Sequence, residues 1–245
     1  MNKVIILAAG KGTRMNANIP KALVKINDKP MIEYLIKSVI SSGVDKRPII
    51  VASPLGRNFI EKDLSFYDFD IAIQEEALGT GHAVLCTKDL IGEEVDNIIV
   101  LYGDHPFIKK DSIKNLLKNH KNDVSMMVVE LKDFNDWRKN FYHWGRIVKN
   151  EKGEIEGIVE FKDASEEEKE IKNVNPAIFC FNKNWLFENI NKIRNNNNQK
   201  EYYLTDLIKL AFEQNIKINF SLIDAKEAVG VNSPEELEIA RSLAV

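Results

Sequence analysis

Val4-Ile5-Ile6-Leu7-Ala8-Ala9-Gly10-Lys11-Gly12-Thr13-Arg14-Met15, followed by Pro20-Lys21, is the stretch on which the fold turns. Val4 to Leu7 is an apolar run of strand length without alternation, the pattern of a strand buried on both faces of a parallel sheet. It stops at the small residues Ala8, Ala9 and Gly10, which let a ligand approach the backbone where the strand ends. Gly10 and Gly12 permit a tight turn whose N–H groups can face an anion, and Arg14 and Lys21 bring positive charge to the same spot. Polyphosphate has that shape and charge. A strand-to-helix turn with glycines for geometry and a solvated base beyond would read the same way. Two other phosphate loops are excluded, because Met15 stands where a Walker loop needs its second glycine and a dinucleotide fingerprint its third.

Outward from this stretch, strands and helices alternate. A helix opens at Pro30, with Ile32, Leu35, Ile36 and Val39 on one face, and ends at Gly43. Strands are predicted at 48–52, 70–74, 97–102 and 124–131, with helices at 79–88 and from a cap at Asp111 through His120. The class is α/β, a Rossmann-like doubly wound mixed sheet, whose ligands sit beyond the carboxyl ends of its strands. Gly10, Gln74 and Asp104 stand at such ends and are expected to meet in space.

The second half changes character. A β-hairpin is predicted across Asn150-Glu151-Lys152-Gly153, then a charged helix at 163–173 and a strand at 174–181 despite Pro176. A polar loop at 195–198, a helix at 203–214, a strand at 217–222 and a helix at 234–243 begun by Ser233 complete the chain. The expectation is one domain over 1–245, its nucleotide half within 1–132 and a half with a small β-rich insertion within 133–245.

Composition bounds the rest. Folding a chain of 245 residues buries roughly 70–75% of the unfolded surface, enough for a full core. A net charge of -3 indicates no general attraction to nucleic acid. Cys86 and Cys180 lie in apolar surroundings and read as buried free thiols. No apolar run approaches the ~20 residues of a membrane span, and Met1-Asn2-Lys3 leads straight into a strand, so no leader is expected and a cytoplasmic location is.

Three more stretches could carry chemistry. Gln74-Glu75-Glu76-Ala77-Leu78-Gly79-Thr80-Gly81-His82-Ala83 joins an amide, able to donate and accept, to glycines that open backbone to a ligand; it suits a nucleobase edge or is a plain loop and cap. In Tyr102-Gly103-Asp104-His105-Pro106, a carboxylate ending a buried strand is a frequent Mg²⁺ position or a turn cap, and His105 reads as an exposed loop histidine. Gly230-Val231-Asn232-Ser233 precedes a helix, where an asparagine is ordinarily a cap.

In this order, LAAGKGTRM with PK, the LGTGHA loop, YGD, GRI, EFKDA, EYYLTD and GVN resemble the motifs of sugar-nucleotide pyrophosphorylases, a nucleotidyltransferase family, and within it the uridylyltransferase half of the bifunctional enzymes that make UDP-N-acetylglucosamine. The resemblance covers nearly the whole chain. It implies Mg²⁺-dependent transfer from a nucleoside triphosphate, UTP favoured, to a sugar 1-phosphate, N-acetylglucosamine 1-phosphate first among them. It implies catalytic Arg14 and Lys21; nucleotide contacts from Leu7, Ala8, Ala9, Gly10, Lys11, Gly12, Thr13, Gln74, Gly79, Thr80, Tyr102 and Gly103; sugar contacts from Gly145, Glu160 and Asn175; and Mg²⁺ on Asp104 and Asn232. Arg146 falls on the sugar side and the EYYLTD block behind the site. Asn175-Pro176-Ala177 departs from the family's Asn-Thr-Gly, so a relaxed or altered sugar preference is expected. No acetyltransferase β-helix is expected, and a monomer or small homo-oligomer is. Rival readings are cytidylyl, thymidylyl or guanylyl transfer, or a nucleotide-sugar-binding protein without catalysis.

Overall fold

The computed structural model describes residues 1–10, 12, 19–197 and 199–244. The parallel half of its sheet is β1 (Asn2–Leu7), β4 (Ile49–Ala52), β5 (Asp70–Ile73) and β6 (Asn97–Tyr102), ordered β5-β4-β1-β6. β1 is buried on both sides: Val4 and Ile6 join one core, Ile5 the other, each with no exposed surface. A short hairpin, β2 (Lys25–Ile26) and β3 (Lys29–Pro30), leads from the glycine-rich stretch into α1 (Met31–Ser42), which Gly43 ends in a left-handed conformation.

The sheet continues through β11 (Phe179–Asn182), antiparallel to β6, to β7 (Val124–Glu130), which β12 (Asn219–Ile223) joins in parallel. From the far end of β7 branch β10 (Asn173–Val174), β8 (Arg146–Lys149) and β9 (Ile155–Val159), all antiparallel, making ten strands. α1, α2 (Pro54–Asp63), α4 (Lys110–Asn119) and α8 (Pro234–Leu243) pack on one face. The other takes α3 (Thr80–Leu85), α6 (Lys183–Asn189) and α7 (Asp206–Glu213). The doubly wound mixed sheet expected from the sequence is the fold. Burying a Leu or Ile of α1 contributes about 1.5–3 kcal/mol each, which is why the 3.6-residue period of Ile32, Leu35, Ile36 and Val39 survives intact.

Several boundaries differ. α4 starts at Lys110 with Lys109 at its cap position, and Asp111 sits inside the first turn. The charged helix shrinks to α5 (Glu166–Lys169), which Ser165 and Glu168 cap reciprocally and which buries no residue, so nothing extends it. α7 begins at Asp206 because the preceding residues are bonded to α3. The strand expected at 174–181 is broken: Val174 pairs with Val129 and Phe179 with Met126, so five steps on one strand match three on its partner. The excess is a bulge at Asn175–Ile178, centred on Pro176, which has no N–H to donate, and Ala177, at φ 59°. Cys180 is buried as expected, but Cys86 is only half-buried.

Candidate active site

The carboxyl ends of β1, β5 and β6 converge as expected. Ala8 N donates to Val51 O (2.8 Å), Gly103 N to Leu7 O (2.9 Å) and Gln74 N to Ala52 O (2.9 Å), which ties the ends of β4, β1, β6 and β5 together. A Cβ on Gly103 would lie 3.0 Å from Ala22 Cβ, so only glycine lets this strand end pass Ala22. Gly12, at φ 60°, is packed against Lys21: a Cβ there would meet Lys21 Cβ at 2.9 Å. The two ends of the glycine-rich stretch thus touch. Lys11, Thr13 and Arg14 lie outside the described residues.

Lys21 opens a 3₁₀ turn anchored by buried Ala22 and Leu23. Its Nζ donates to Asp104 Oδ2 and, at 2.6 Å, to Asn232 Oδ1. Val231 N donates to Asp104 O (3.0 Å), and Ser233 caps α8 behind. Asn232, 128 residues from Asp104 in sequence (232 less 104), is therefore held against it by backbone. Burial alone would raise the Asp104 carboxyl; Lys21 above all, with His105, brings it below the usual carboxylate range. A carboxylate oxygen and an amide oxygen thus converge on one cationic atom.

A cavity of about 310 Å³ opens over this point. Its walls include Leu7, Ala8, Ala9, Gly10, Lys21, Gln74, Gly79, Thr80, Tyr102 and Asp104. Among the described residues, apart from its chain neighbours, nothing lies within 4 Å of where a Gly10 Cβ would be. A second cavity of about 450 Å³ adjoins it, with Glu160, Phe161, His143 and Tyr203 in its walls, and the two share Thr80 and Tyr102. Burial pushes the Tyr102 phenol up, so it stays protonated at any ordinary pH. The Glu160 carboxyl is held above the usual carboxylate range, first by partial loss of water in the cavity wall and then by Asp206 and Asp163.

The expected sugar-side residues divide. Glu160 lines the second cavity; Gly145 and Asn175 stand behind it. A Cβ on Gly145 would lie 2.9 Å from Ile158 and 3.4 Å from Glu160 Oε1. Asn175 N donates to Gly145 O, while Asn175 Oδ1 accepts from Ala177 N. Arg146 does not reach the cavity. It is fully buried and donates to the carbonyls of Tyr142, Trp144 and Lys169, with its guanidinium 4.8 Å from the Phe134 ring centre and 5.5 Å from that of Phe161. It builds the wall, because a buried guanidinium needs acceptors and flat rings.

His105 is buried rather than exposed. It fits under Gly230, where a Cβ would come within 2.9 Å of its Nε2, and between the rings of Tyr102 and Trp144. The EYYLTD block is closer to the site than the sequence indicated: Glu201 lines the first cavity, Tyr203 and Thr205 the second. Tyr202 N donates to Leu78 O, Gly81 N to Tyr202 O, and Leu204 N to Thr80 Oγ1. Gly79, at φ 104°, allows this, since a Cβ would lie 2.7 Å from the Tyr202 backbone. His143 and Phe161 carried no signal beyond their neighbours' motifs.

A family model described as nucleotidyl transferase matches residues 3–225. The bifunctional protein GlmU of Thermosipho africanus is 42% identical over 240 residues, covering 96% of this chain and 49% of that protein. GlmU of Caldicellulosiruptor saccharolyticus is 38% identical over 237 residues, covering 96% of this chain and 50% of that protein. GlmU of Desulfotalea psychrophila is 36% identical over 241 residues, with 97% and 68% covered. The chain thus spans about half the length of the first two of these relatives. Among solved structures, the inositol-1-phosphate CTP transferase of T. maritima superposes with a TM-score of 0.77 at 17% identity, over 99% of this chain and 94% of that one. A Bacillus anthracis chain assigned as a glucose-1-phosphate thymidylyltransferase gives 0.77 at 17%, over 100% and 95%. At that identity the likeness is one of fold. No helix among the described residues is long and apolar enough to cross a membrane.

Proposed function

This chain belongs to the nucleotidyl transferase family, and from that premise we propose that it makes a nucleoside-diphosphate sugar and pyrophosphate from a nucleoside triphosphate and a sugar 1-phosphate. UTP and N-acetylglucosamine 1-phosphate are the substrates we assign first. The observation that carries the reading is the seam between the two cavities: Thr80 and Tyr102 belong to both, and Lys21, Asp104 and Asn232 converge beside it. A triphosphate in the first cavity and a sugar phosphate in the second would meet there.

An oxygen of the sugar phosphate attacks the α-phosphorus, and the bond from that phosphorus to the bridging oxygen breaks, releasing pyrophosphate. The nucleophile is already anionic, so no side chain has to remove a proton. We assign Lys21 to charge on the α-phosphate and the backbone at Gly10, in the wall of the same cavity, to the departing phosphates. We assign Arg14 to those same phosphates and Lys11, Gly12 and Thr13 to the loop around them. The donor set suits Mg²⁺: two hard oxygens, from Asp104 and Asn232, already aim at one cationic atom, and open space beside them leaves room for water and phosphate. When bound, the ion supplies charge neutralisation on the phosphate oxygens. Asp104, held ionised, and Asn232 would hold it, and Lys21 would turn to the phosphate.

Glu160 accepts hydrogen bonds from sugar hydroxyls, with Gly145 and Asn175 fixing its surroundings. The nucleotide half, 1–132, and the sugar half, 133–245, divide the work with exchanges in both directions: Glu201 lines the nucleotide cavity, Asn232 joins Lys21 and Asp104, and Thr80 and Tyr102 line the sugar-side cavity as well. A panel of nucleoside triphosphates against sugar 1-phosphates, read by pyrophosphate release, tests the reading. The expected best pair is UTP with N-acetylglucosamine 1-phosphate. Use of CTP, dTTP or GTP instead would overturn the base assignment and leave the reaction standing. Silence across the panel would overturn the reaction itself. The bulge at Pro176-Ala177 leads us to expect glucose 1-phosphate or another hexose 1-phosphate to compete, and Pro176→Thr with Ala177→Gly to sharpen the preference for the N-acetyl sugar.

A further inference from the structure

Gln74 is 7% exposed at the end of β5 and is among the residues that line the first cavity. An unconstrained glutamine presents either its oxygen or its nitrogen to a ligand, and so discriminates poorly between bases. Here the choice is made by its neighbours. Gly79 O lies 3.0 Å from the amide end of Gln74, and a carbonyl oxygen can only accept, so the atom facing it is Nε2. The same nitrogen lies 3.2 Å from His82 Nδ1. That ring nitrogen must accept, which puts the ring proton of neutral His82 on Nε2, 3.9 Å from Cys86 Sγ. Both amide hydrogens of Gln74 are thereby committed, one to Gly79 O and one to His82 Nδ1. Oε1 is the atom left for a ligand.

A lone acceptor at this position matches a base whose ring nitrogen carries a hydrogen, the imide of uracil or thymine. Against cytosine it meets the lone pair of the ring nitrogen, which leaves two acceptors facing each other.

We propose that His82 is a positioning residue for base selection: its Nδ1 locks the Gln74 amide with the oxygen facing the cavity, and so makes the site select an imide base over cytosine. The inference rests on the reading of this cavity as the nucleotide site. His82 touches no substrate; it acts through Gln74.

The test is calorimetric titration of UTP and of CTP into the full chain as wild type, His82→Phe and His82→Asn, with the UTP-to-CTP ratio of kcat/KM measured beside it. Phenylalanine keeps a flat ring and removes the acceptor; asparagine restores an acceptor oxygen near Nδ1. Wild type is expected to favour UTP. The ratio should fall roughly tenfold or more in His82→Phe and return most of the way in His82→Asn. If melting shows His82→Phe unfolded, His82→Leu replaces it. Equal losses for both nucleotides, an unchanged ratio, or an asparagine variant no better than phenylalanine would overturn the role of His82 while the nucleotide site stands. A wild type that binds neither nucleotide would overturn the site reading, and the proposal with it.

Discussion

Two carboxylates at the site have been pushed in opposite directions, and each carries a consequence that can be measured. Asp104 is held below its usual range by Lys21, so its folded value lies under its unfolded one. The stability it brings is present above about pH 4 and is lost only as pH falls through the depressed value. Urea midpoints between pH 5 and 2 should therefore fall less steeply in Asp104→Asn than in wild type. In the same variant kcat should drop by about 100-fold or more at unchanged circular dichroism, as for loss of a group that stabilises transition-state charge. Glu160 has the opposite sign. Its folded value is raised, so its charge opposes folding at neutral pH and the opposition disappears on acidification below the unfolded value. Glu160→Gln should be as stable as wild type or more so, yet raise KM for the sugar phosphate, read from urea melts and initial rates. Ala177 holds a left-handed conformation at φ 59°. Ala177→Gly should gain about 0.5–1 kcal/mol in denaturant melts, the relief of the Cβ less the entropy of glycine. At this scale Gln74 and Asp104 stood out as polar residues at strand ends, whereas Asn232 came from the family resemblance alone, because an asparagine before a helix reads as an ordinary cap. The lock between Gln74 and His82 was not, because no spacing says which end of an amide faces a ligand.

Among the elements, β1 and β6 read clearly from sequence, since strands buried on both faces leave uninterrupted apolar runs. α8 announced itself through Ser233 and Pro234. α2 and α6 did not. α2 has its own start signal, Ser53 capping Gly56 N with Pro54 next, but buries only Gly56 and Ile60, too few for a visible period. α6 follows β11 without a break, Asn182 ending one and capping the other. The clasp between α3 and the segment 201–204 was also out of reach, because two of its three bonds join backbone to backbone across more than 100 residues of sequence. It predicts its own weak point. Gly79→Ala would force a Cβ to 2.7 Å from the Tyr202 backbone at a φ of 104°. A loss of about 2 kcal/mol or more is expected, with a raised KM for the nucleotide, measured by thermal melting and initial rates. A variant as stable as wild type would show that the clasp can open without cost.

For the molecule as a whole, one twisted sheet carries both cavities, and their shared edge lies beyond the carboxyl ends of its parallel strands, the position expected of a doubly wound fold. The parallel half of the sheet follows from alternating apolar runs and helices, but its strand order does not, because the alternation leaves open which strands are neighbours. The antiparallel extension β10-β8-β9, which brings Glu160 round to face Tyr102, depends on pairings far apart in sequence and could be anticipated only as a hairpin. On the proposed reading this geometry joins two phosphates and expels a third group. The most direct measurement is phosphorus NMR of UTP, N-acetylglucosamine 1-phosphate and Mg²⁺ with the purified chain. Pyrophosphate and a sugar-linked diphosphate should appear together, one of each per UTP consumed, and excess EDTA should stop both. UTP left intact, or hydrolysed to phosphate without a new diphosphate, would contradict that reading.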